Sequence, residues 1–171
     1  YISEERSSMD IEIIYNRYFK IIYRYLLSLC RDPHLAEELA QETFMKALSR
    51  KFPEGEEDNV PAWLHTIARN LYFRHYNKSR RRQEILKINN CEHPADSPET
   101  EIMQKQGQLR IHRLLHELAE PYREVFMLRN FGELSFGEIG EIFQRTEAWA
   151  RTTYFRARKK LMEDLQDEDN M

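Results

Sequence analysis

Apolar side chains at Ile11, Ile14, Tyr15, Tyr18, Phe19, Ile22, Leu26 and Leu29 recur at steps of three and four, so they line one face of a long helix. A second helix opens at Asp32-Pro33, where Asp can cap free amides and Pro suits the first helical position. It carries Leu35, Leu39, Phe44 and Ala47-Leu48 and fades near Arg50 or Lys51. The stretch from Phe52 to Pro61, with two prolines, Gly55 and the acidic run Glu56-Glu57-Asp58, predicts a loop. A third helix is expected from about Ala62 to Lys87. From Ile88 to Ser97 the periodicity stops, in a segment with two Asn, a Pro and net acidity that has the composition of a linker.

Beyond it, Ser97-Pro98 can open another helix, whose buried stripe is Ile111, Leu114, Leu115 and Leu118. Pro121 separates this helix from one bearing Val125, Phe126 and Leu128. Ser135 and Glu138 stand three apart, the spacing of a capping box, and predict a short helix from Phe136 to Phe143. The connection Gln144-Arg145-Thr146 follows, and Thr146 can cap a final helix from Glu147 to about Leu165. The expected fold is all-α: two small helical domains, residues 1–88 and 98–171, joined by a flexible linker over 89–97.

Composition agrees, since five Gly and six Pro in 171 residues leave little turn chemistry for a β fold. No apolar run approaches the roughly 18 residues of a spanning helix, and residues 1–10 are polar, which predicts a cytoplasmic chain without membrane insertion. Cys30 and Cys91 have no ligand-like neighbours, and Cys30 lies in an apolar run where a buried thiol is expected.

The formal charge of −3 hides a strong asymmetry. Across the third helix Arg69, Arg74, Lys78, Arg80, Arg81, Arg82 and Lys87 oppose only Glu84, and across 145–160 six cations oppose only Glu147. Residues 31–59 are acidic by contrast, as is the end of the chain. Two basic helices in two domains suggest two contacts with a polyanion. A basic run alone is usually a solvated face, but here Trp63, Tyr72, Phe73 and Tyr76 share the helix with the cations, the combination that stacking on unpaired bases requires. Trp63 fits a core position as well as a base contact; Tyr72 and Tyr76, nearer the basic end, are read as contacts.

The second basic element is more specific. A short capped helix, a three-residue turn and a longer basic helix, with Ile139, Ile142 and Phe143 facing Ala150, Tyr154 and Ala157, form a helix-turn-helix pattern in which the small Gly140 allows a close crossing. The first turns of the second helix then reach base edges through Glu147, Ala148, Trp149, Arg151 and Thr152, and Arg145, Arg156 and Lys159 reach phosphates. Trp149 is bulky for a groove-facing position.

Catalysis is not indicated: His112 and His116 have metal-binding spacing but no third ligand in register, and no phosphate loop or nucleophile triad appears. No cofactor or small-molecule substrate is expected. The rival from the binding class is a conventional helix-turn-helix regulator with an N-terminal dimerisation or sensing domain, which leaves the aromatic and basic third helix unexplained.

Leu35-Ala36-Glu37-Glu38-Leu39-Ala40-Gln41-Glu42-Thr43-Phe44, then Ala62-Trp63-Leu64 and Ile67-Ala68-Arg69-Asn70, resemble the second domain of bacterial sigma factors of the extracytoplasmic-function group, within the sigma-70 family. Leu118-Ala119-Glu120-Pro121-Tyr122-Arg123-Glu124-Val125, Leu134-Ser135 with Glu138-Ile139, and Arg151 with Arg156-Ala157 resemble the fourth domain. The resemblance implies that Glu38, Gln41, Glu42 and Phe44 bind the β′ clamp helices of RNA polymerase core, with the β flap as a further contact. It implies that Trp63, Arg69, Asn70, Tyr72, Arg74, Tyr76, Lys78, Arg80 and Arg81 open and read the minus-ten element. The helix-turn-helix would read the minus-thirty-five element, to start transcription of a stress or envelope-response regulon. An anti-sigma partner is implied as well.

Overall fold

Helix α1 (Ile2–Cys30) buries Ile22, Tyr25, Leu26 and Leu29 along the face that the spacing predicts. The structure, a computed structural model, describes the backbone of residues 2–49, 59–88 and 105–169 and the side chains of 12–49, 59–82 and 110–167. Helix α1 begins well before the apolar pattern does, since the polar residues 2–10 continue it. It ends where Arg31 takes a left-handed φ of 59° and its N–H donates to the Leu27 carbonyl at 2.9 Å.

Helix α2 (Pro33–Ser49) starts as expected: Asp32 Oδ1 accepts from the amides of His34 at 2.9 Å and Leu35 at 3.3 Å. It packs against α1 through an aromatic cluster in which the Tyr15 and Phe44 rings meet edge-on at 5.0 Å. Helix α3 (Val60–Ile88) closes this first domain, burying Val60, Leu64, Ile67, Ala68 and Leu71. Cys30 is half-buried rather than fully enclosed; its Sγ donates to the Asp32 carbonyl at 3.3 Å, and burial raises the thiol's pKa.

The second domain comprises α4 (Lys105–Glu117), α5 (Tyr122–Asn130), α6 (Phe136–Phe143) and α7 (Glu147–Asp169). Leu114, Leu115, Leu118, Val125, Met127, Leu128, Leu134, Ile139, Ala150, Ala157 and Leu161 make its core. The loop expected over 52–61 is cut short at its end, where α3 already takes in Val60 and Pro61; its residues 52–58, the linker at 89–97, Cys91 and the Ser97-Pro98 opening lie outside the described residues.

The α6 boundaries match the pattern because both ends are chemically fixed. At the N-terminus the Ser135 amide donates to Glu138 Oε2 at 2.6 Å and the Glu138 amide donates to Ser135 Oγ at 3.2 Å. At the C-terminus Gln144 is left-handed, its N–H donates to the Glu141 carbonyl at 3.0 Å, and the Arg145 N–H donates to the Gly140 carbonyl at 2.8 Å. That pair of bonds folds the turn back over Gly140, where a Cβ would lie 2.8 Å from the Arg145 carbonyl oxygen. Gly140 is therefore required by the turn that follows α6, rather than by the crossing with α7. Thr146 Oγ1 then accepts from the Trp149 amide at 3.2 Å and starts α7.

The two domains rest on each other, α1 against α5 and α3 against α6, an arrangement that the sequence leaves open. Arg24 Nη1 reaches Glu133 Oε1 at 3.0 Å across this contact, and His116 Nε2 lies 3.1 Å from the Ser28 carbonyl oxygen. The two histidines with metal-like spacing are thus employed in packing: the His112 ring stacks on Phe131 at 6.1 Å while His116 faces the first domain.

Candidate nucleic-acid and polymerase interfaces

Helix α3 carries its basic residues along a face that turns away from the bundle. Asn70, Arg74, Tyr76, Lys78, Arg80, Arg81 and Arg82 are exposed, because only the first half of α3 has the apolar stripe that a three-helix core demands. Tyr76 stacks on Tyr72 at 6.0 Å, making a short aromatic ladder beside the cations. Tyr72 is only half-available, since its hydroxyl donates to the Leu29 carbonyl at 3.3 Å and burial raises its pKa. Trp63 is partly buried against the core.

Arg74 Nη2 meets Glu42 Oε1 at 2.8 Å, and Lys46 Nζ meets the same oxygen at 3.5 Å. Glu42 thus joins the acidic face of α2 to the basic face of α3, across an open cleft lined by Lys46, Ile67, Asn70, Leu71 and Arg74. Glu38 and Gln41 are exposed on the same helix. Phe44 is different: at 5 % exposure it belongs to the core, held by Tyr15 and Phe19, so its contribution is to fix α2 and not to touch a partner.

Arg69, expected at the polyanion surface, is turned inward. Its Nε and Nη2 grip the two carboxylate oxygens of Glu124 from α5, and its guanidinium lies between the rings of Phe73 at 5.2 Å and Phe143 at 5.3 Å. Glu124 is 3 % exposed. Burial raises its carboxyl pKa, and the Arg69 hydrogen bonds and charge pull it back only in part. Sequence reasoning missed Glu124. The signal was there: it sits three and four residues before Met127 and Leu128, on the buried side of α5.

His65 was missed as well. It is buried, its Nδ1 lies 2.7 Å from the Pro61 carbonyl oxygen and so carries the proton, and its Nε2 has no hydrogen-bond partner among the described residues. A Cβ at Gly132, in the other domain, would approach that nitrogen to 2.7 Å. Burial lowers the His65 pKa to about 4. Below the ordinary 6.5 the unfolded chain takes up a proton that the folded one refuses, so stability is complete above pH 6.5 and falls as pH drops towards 4. The expected loss between pH 7.5 and 4.5 is about 2 to 3 kcal/mol. Urea unfolding of the native chain and of His65→Asn at both pH values measures it: the acid-induced loss should shrink by that amount in the variant, and equal losses would contradict the assignment.

On α7 and the turn before it the expected DNA-facing set is presented to solvent. Arg145, Glu147, Ala148, Arg151, Thr152, Arg156 and Lys159 are all exposed, on the opposite side from Ala150, Ala157 and Leu161. Glu147 Oε1 pairs with Arg151 Nη2 at 2.6 Å, one turn apart, and the Arg151 guanidinium lies 5.6 Å from the centre of the Phe136 ring. Trp149 differs from its neighbours: it is half-buried, its ring 5.2 Å from that of Phe143, so part of its bulk packs between α6 and α7.

The family model for Sigma-70 region 2 matches residues 14–82, and that for Sigma-70 region 4 matches residues 108–161. A relative from Bacillus subtilis, the ECF RNA polymerase sigma factor SigM, is 33% identical over 156 residues, covering 90% of this chain and 93% of its own. The chain belongs to the extracytoplasmic-function group of the sigma-70 family. A second relative of this sigma factor, YlaC from the same organism, is 30% identical over 91% of the chain and 92% of its own length. The sigma factor RpoE from Bartonella quintana, solved in complex with the anti-sigma factor NepR, aligns over 92% of this chain and 97% of its own, with a TM-score of 0.65 at 23% identity, a likeness of fold. Sigma factors direct polymerase core to promoters and are not catalysts themselves, which sets the conventional regulator aside: its N-terminal domain would not match region 2. None of the described helices is long and apolar enough to cross a membrane.

Proposed function

We propose that this cytoplasmic sigma factor divides promoter recognition between two surfaces. Residues 1–88 would bind polymerase core through Glu38, Gln41 and Glu42 and engage the minus-ten element along α3, through Asn70, Arg74, Tyr76, Lys78, Arg80 and Arg81 with Tyr72 and Trp63 behind them. Residues 98–171 would read the minus-thirty-five element with α7. The observation that carries this reading is the exposed face of α7 from Glu147 to Lys159, with Arg145 in the turn before it, held by caps at Ser135 and Thr146 and free of the core. An intact helix suffices there, because the major groove displays every base pair on its edge.

On α3 the work is different. Extruding a base costs a few kcal/mol, and exposed aromatics among cations can offset that by stacking and by neutralising phosphate. The contacts to β′ clamp helices and β flap follow from membership of the family, as does an anti-sigma partner; the complex of RpoE with NepR supports the latter, and purification of the native protein from unstressed cells without a stoichiometric companion would remove it. The regulon is read as one of stress or envelope response.

Arg151→Ala separates the two surfaces. Its loss should cost about 1 to 3 kcal/mol at the minus-thirty-five element, a roughly fivefold or greater fall in promoter-specific initiation, with core binding unchanged. Run-off transcription together with a core pull-down checks this. Unimpaired initiation would count against α7 as the reading helix.

A further inference from the structure

Helix α7 offers the major groove more than a row of cations. Glu147 and Arg151 stand one turn apart with their heads joined, Arg151 Nη2 donating to Glu147 Oε1 at 2.6 Å, and both side chains are more than half exposed. That bond engages one N–H of the guanidinium and one oxygen of the carboxylate. A donor fork and an acceptor are thereby set side by side on the outer face of the helix.

A second contact fixes the fork. The Arg151 guanidinium lies 5.6 Å from the centre of the Phe136 ring, and Arg129 lies against the same ring at 4.8 Å. Arg129 is itself anchored, its Nη1 donating to the Leu134 carbonyl at 2.7 Å. Phe136 opens α6 directly after the capping-box Ser135, and its ring packs against Tyr154 at 5.5 Å and Phe155 at 6.4 Å. Residues from α5, α6 and α7 thus converge on one ring, which limits where Arg151 can point. Lys159 and Glu163, a pair of the same spacing farther along α7, stand 3.6 Å apart and are of the ordinary surface kind.

We propose that Arg151 and Glu147 together read a single G·C base pair of the minus-thirty-five element in one orientation, with Phe136 as a positioning residue that holds the fork. The inference rests on the reading of α7 given above and adds which base pair the helix selects. In the major groove a G·C pair displays two acceptors, guanine N7 and O6, followed by a donor, cytosine N4. The α7 pair displays the complement, two N–H groups of the fork followed by a carboxylate oxygen. An A·T pair would set the adenine amino group against the fork and thymine O4 against the carboxylate, like against like in both places. Turning the pair round to C·G would bring the carboxylate onto the guanine acceptors. A carboxylate among phosphates is tolerated only where it meets an N–H, so Glu147 works chiefly by rejecting the wrong pairs.

Glu147 also lies in the first turn of α7, where a negative charge favours the helix dipole. A role limited to that would weaken every promoter alike when the residue is lost. Reading a base pair predicts a change confined to one position.

Holoenzyme reconstituted from core polymerase and the full chain provides the test. It transcribes a pool of templates made from a promoter that the chain uses, each with a randomised upstream element and a matching barcode in the transcribed region. The native chain should prefer G·C in one orientation at one position by about tenfold over the other base pairs. Arg151→Lys, which keeps the charge and loses the fork, and Glu147→Ala should each cut that preference at least about fivefold, with preferences elsewhere in the element and core binding unchanged. Phe136→Leu, which removes the aromatic face and keeps an apolar side chain, should also lower it, and Phe136→Tyr should restore it. Unchanged preference in either Arg151→Lys or Glu147→Ala overturns the inference, as does an equal loss at every position or selection of a different base pair at the affected one. Each of these leaves α7 as the reading helix. If the native chain initiates without selecting any upstream sequence, α7 is not the reader, and the inference falls with that reading.

Discussion

Gly140→Ala and Gly137→Ala, the same substitution three residues apart on α6, should change stability in opposite directions. At Gly140 the new methyl would stand 2.8 Å from the Arg145 carbonyl oxygen and 3.1 Å from the Thr146 carbonyl, both backbone atoms that can move only if the turn opens. Overpacking of this kind costs about 1 to 3 kcal/mol, and the displaced turn is the one that aims α7. At Gly137 the methyl would meet only Ser135 Oγ at 3.8 Å, an ordinary contact, so the gain in helix propensity of about 0.5 to 1 kcal/mol remains. Thermal melts of the two variants should move apart, with duplex-promoter recognition impaired only in Gly140→Ala. Two variants that shift together would contradict the account of this turn.

Reversing charge on α2 is the second large effect. Glu38 and Glu42 are the acidic groups that the first domain presents beside a buried Phe44, and their replacement by Lys should weaken core binding by tenfold or more, about 1.4 kcal/mol, with the fold intact. Glu42 needs separate treatment because it also holds Arg74 at 2.8 Å and Lys46 at 3.5 Å, so Glu42→Lys crowds three cations together. Glu38→Lys alone avoids this. A competition pull-down with labelled native chain measures the loss, and circular dichroism establishes that the helices persist. Undiminished binding by Glu38→Lys and by the double variant would move the polymerase contact off this face.

Local chemistry was legible in the sequence and long-range packing was not. Asp32, Ser135 and Thr146 announce the starts of α2, α6 and α7 because a cap acts within three residues of itself. The basic half of α3 and the outward face of α7 were visible for the same reason: helical periodicity decides which side chains the core cannot take. Charge and periodicity say nothing about what a neighbouring domain will cover. Arg69 therefore read as one more surface cation, although Glu124 waits for it 55 positions along the chain. Phe44 was misplaced by the opposite error, in which a residue type common at interfaces was assigned to a partner when rings nearby in space already claimed it. The polar N-terminal turns of α1 carry no apolar stripe that would have announced them.

The most direct test of the whole account is run-off transcription with purified chain and bacterial core polymerase on pooled promoter fragments from the source genome, with core alone beside it. Specific transcripts should appear only when the chain is added, and their start sites should share elements near minus ten and minus thirty-five. Transcript patterns identical with and without the chain, together with no binding to core, would contradict it.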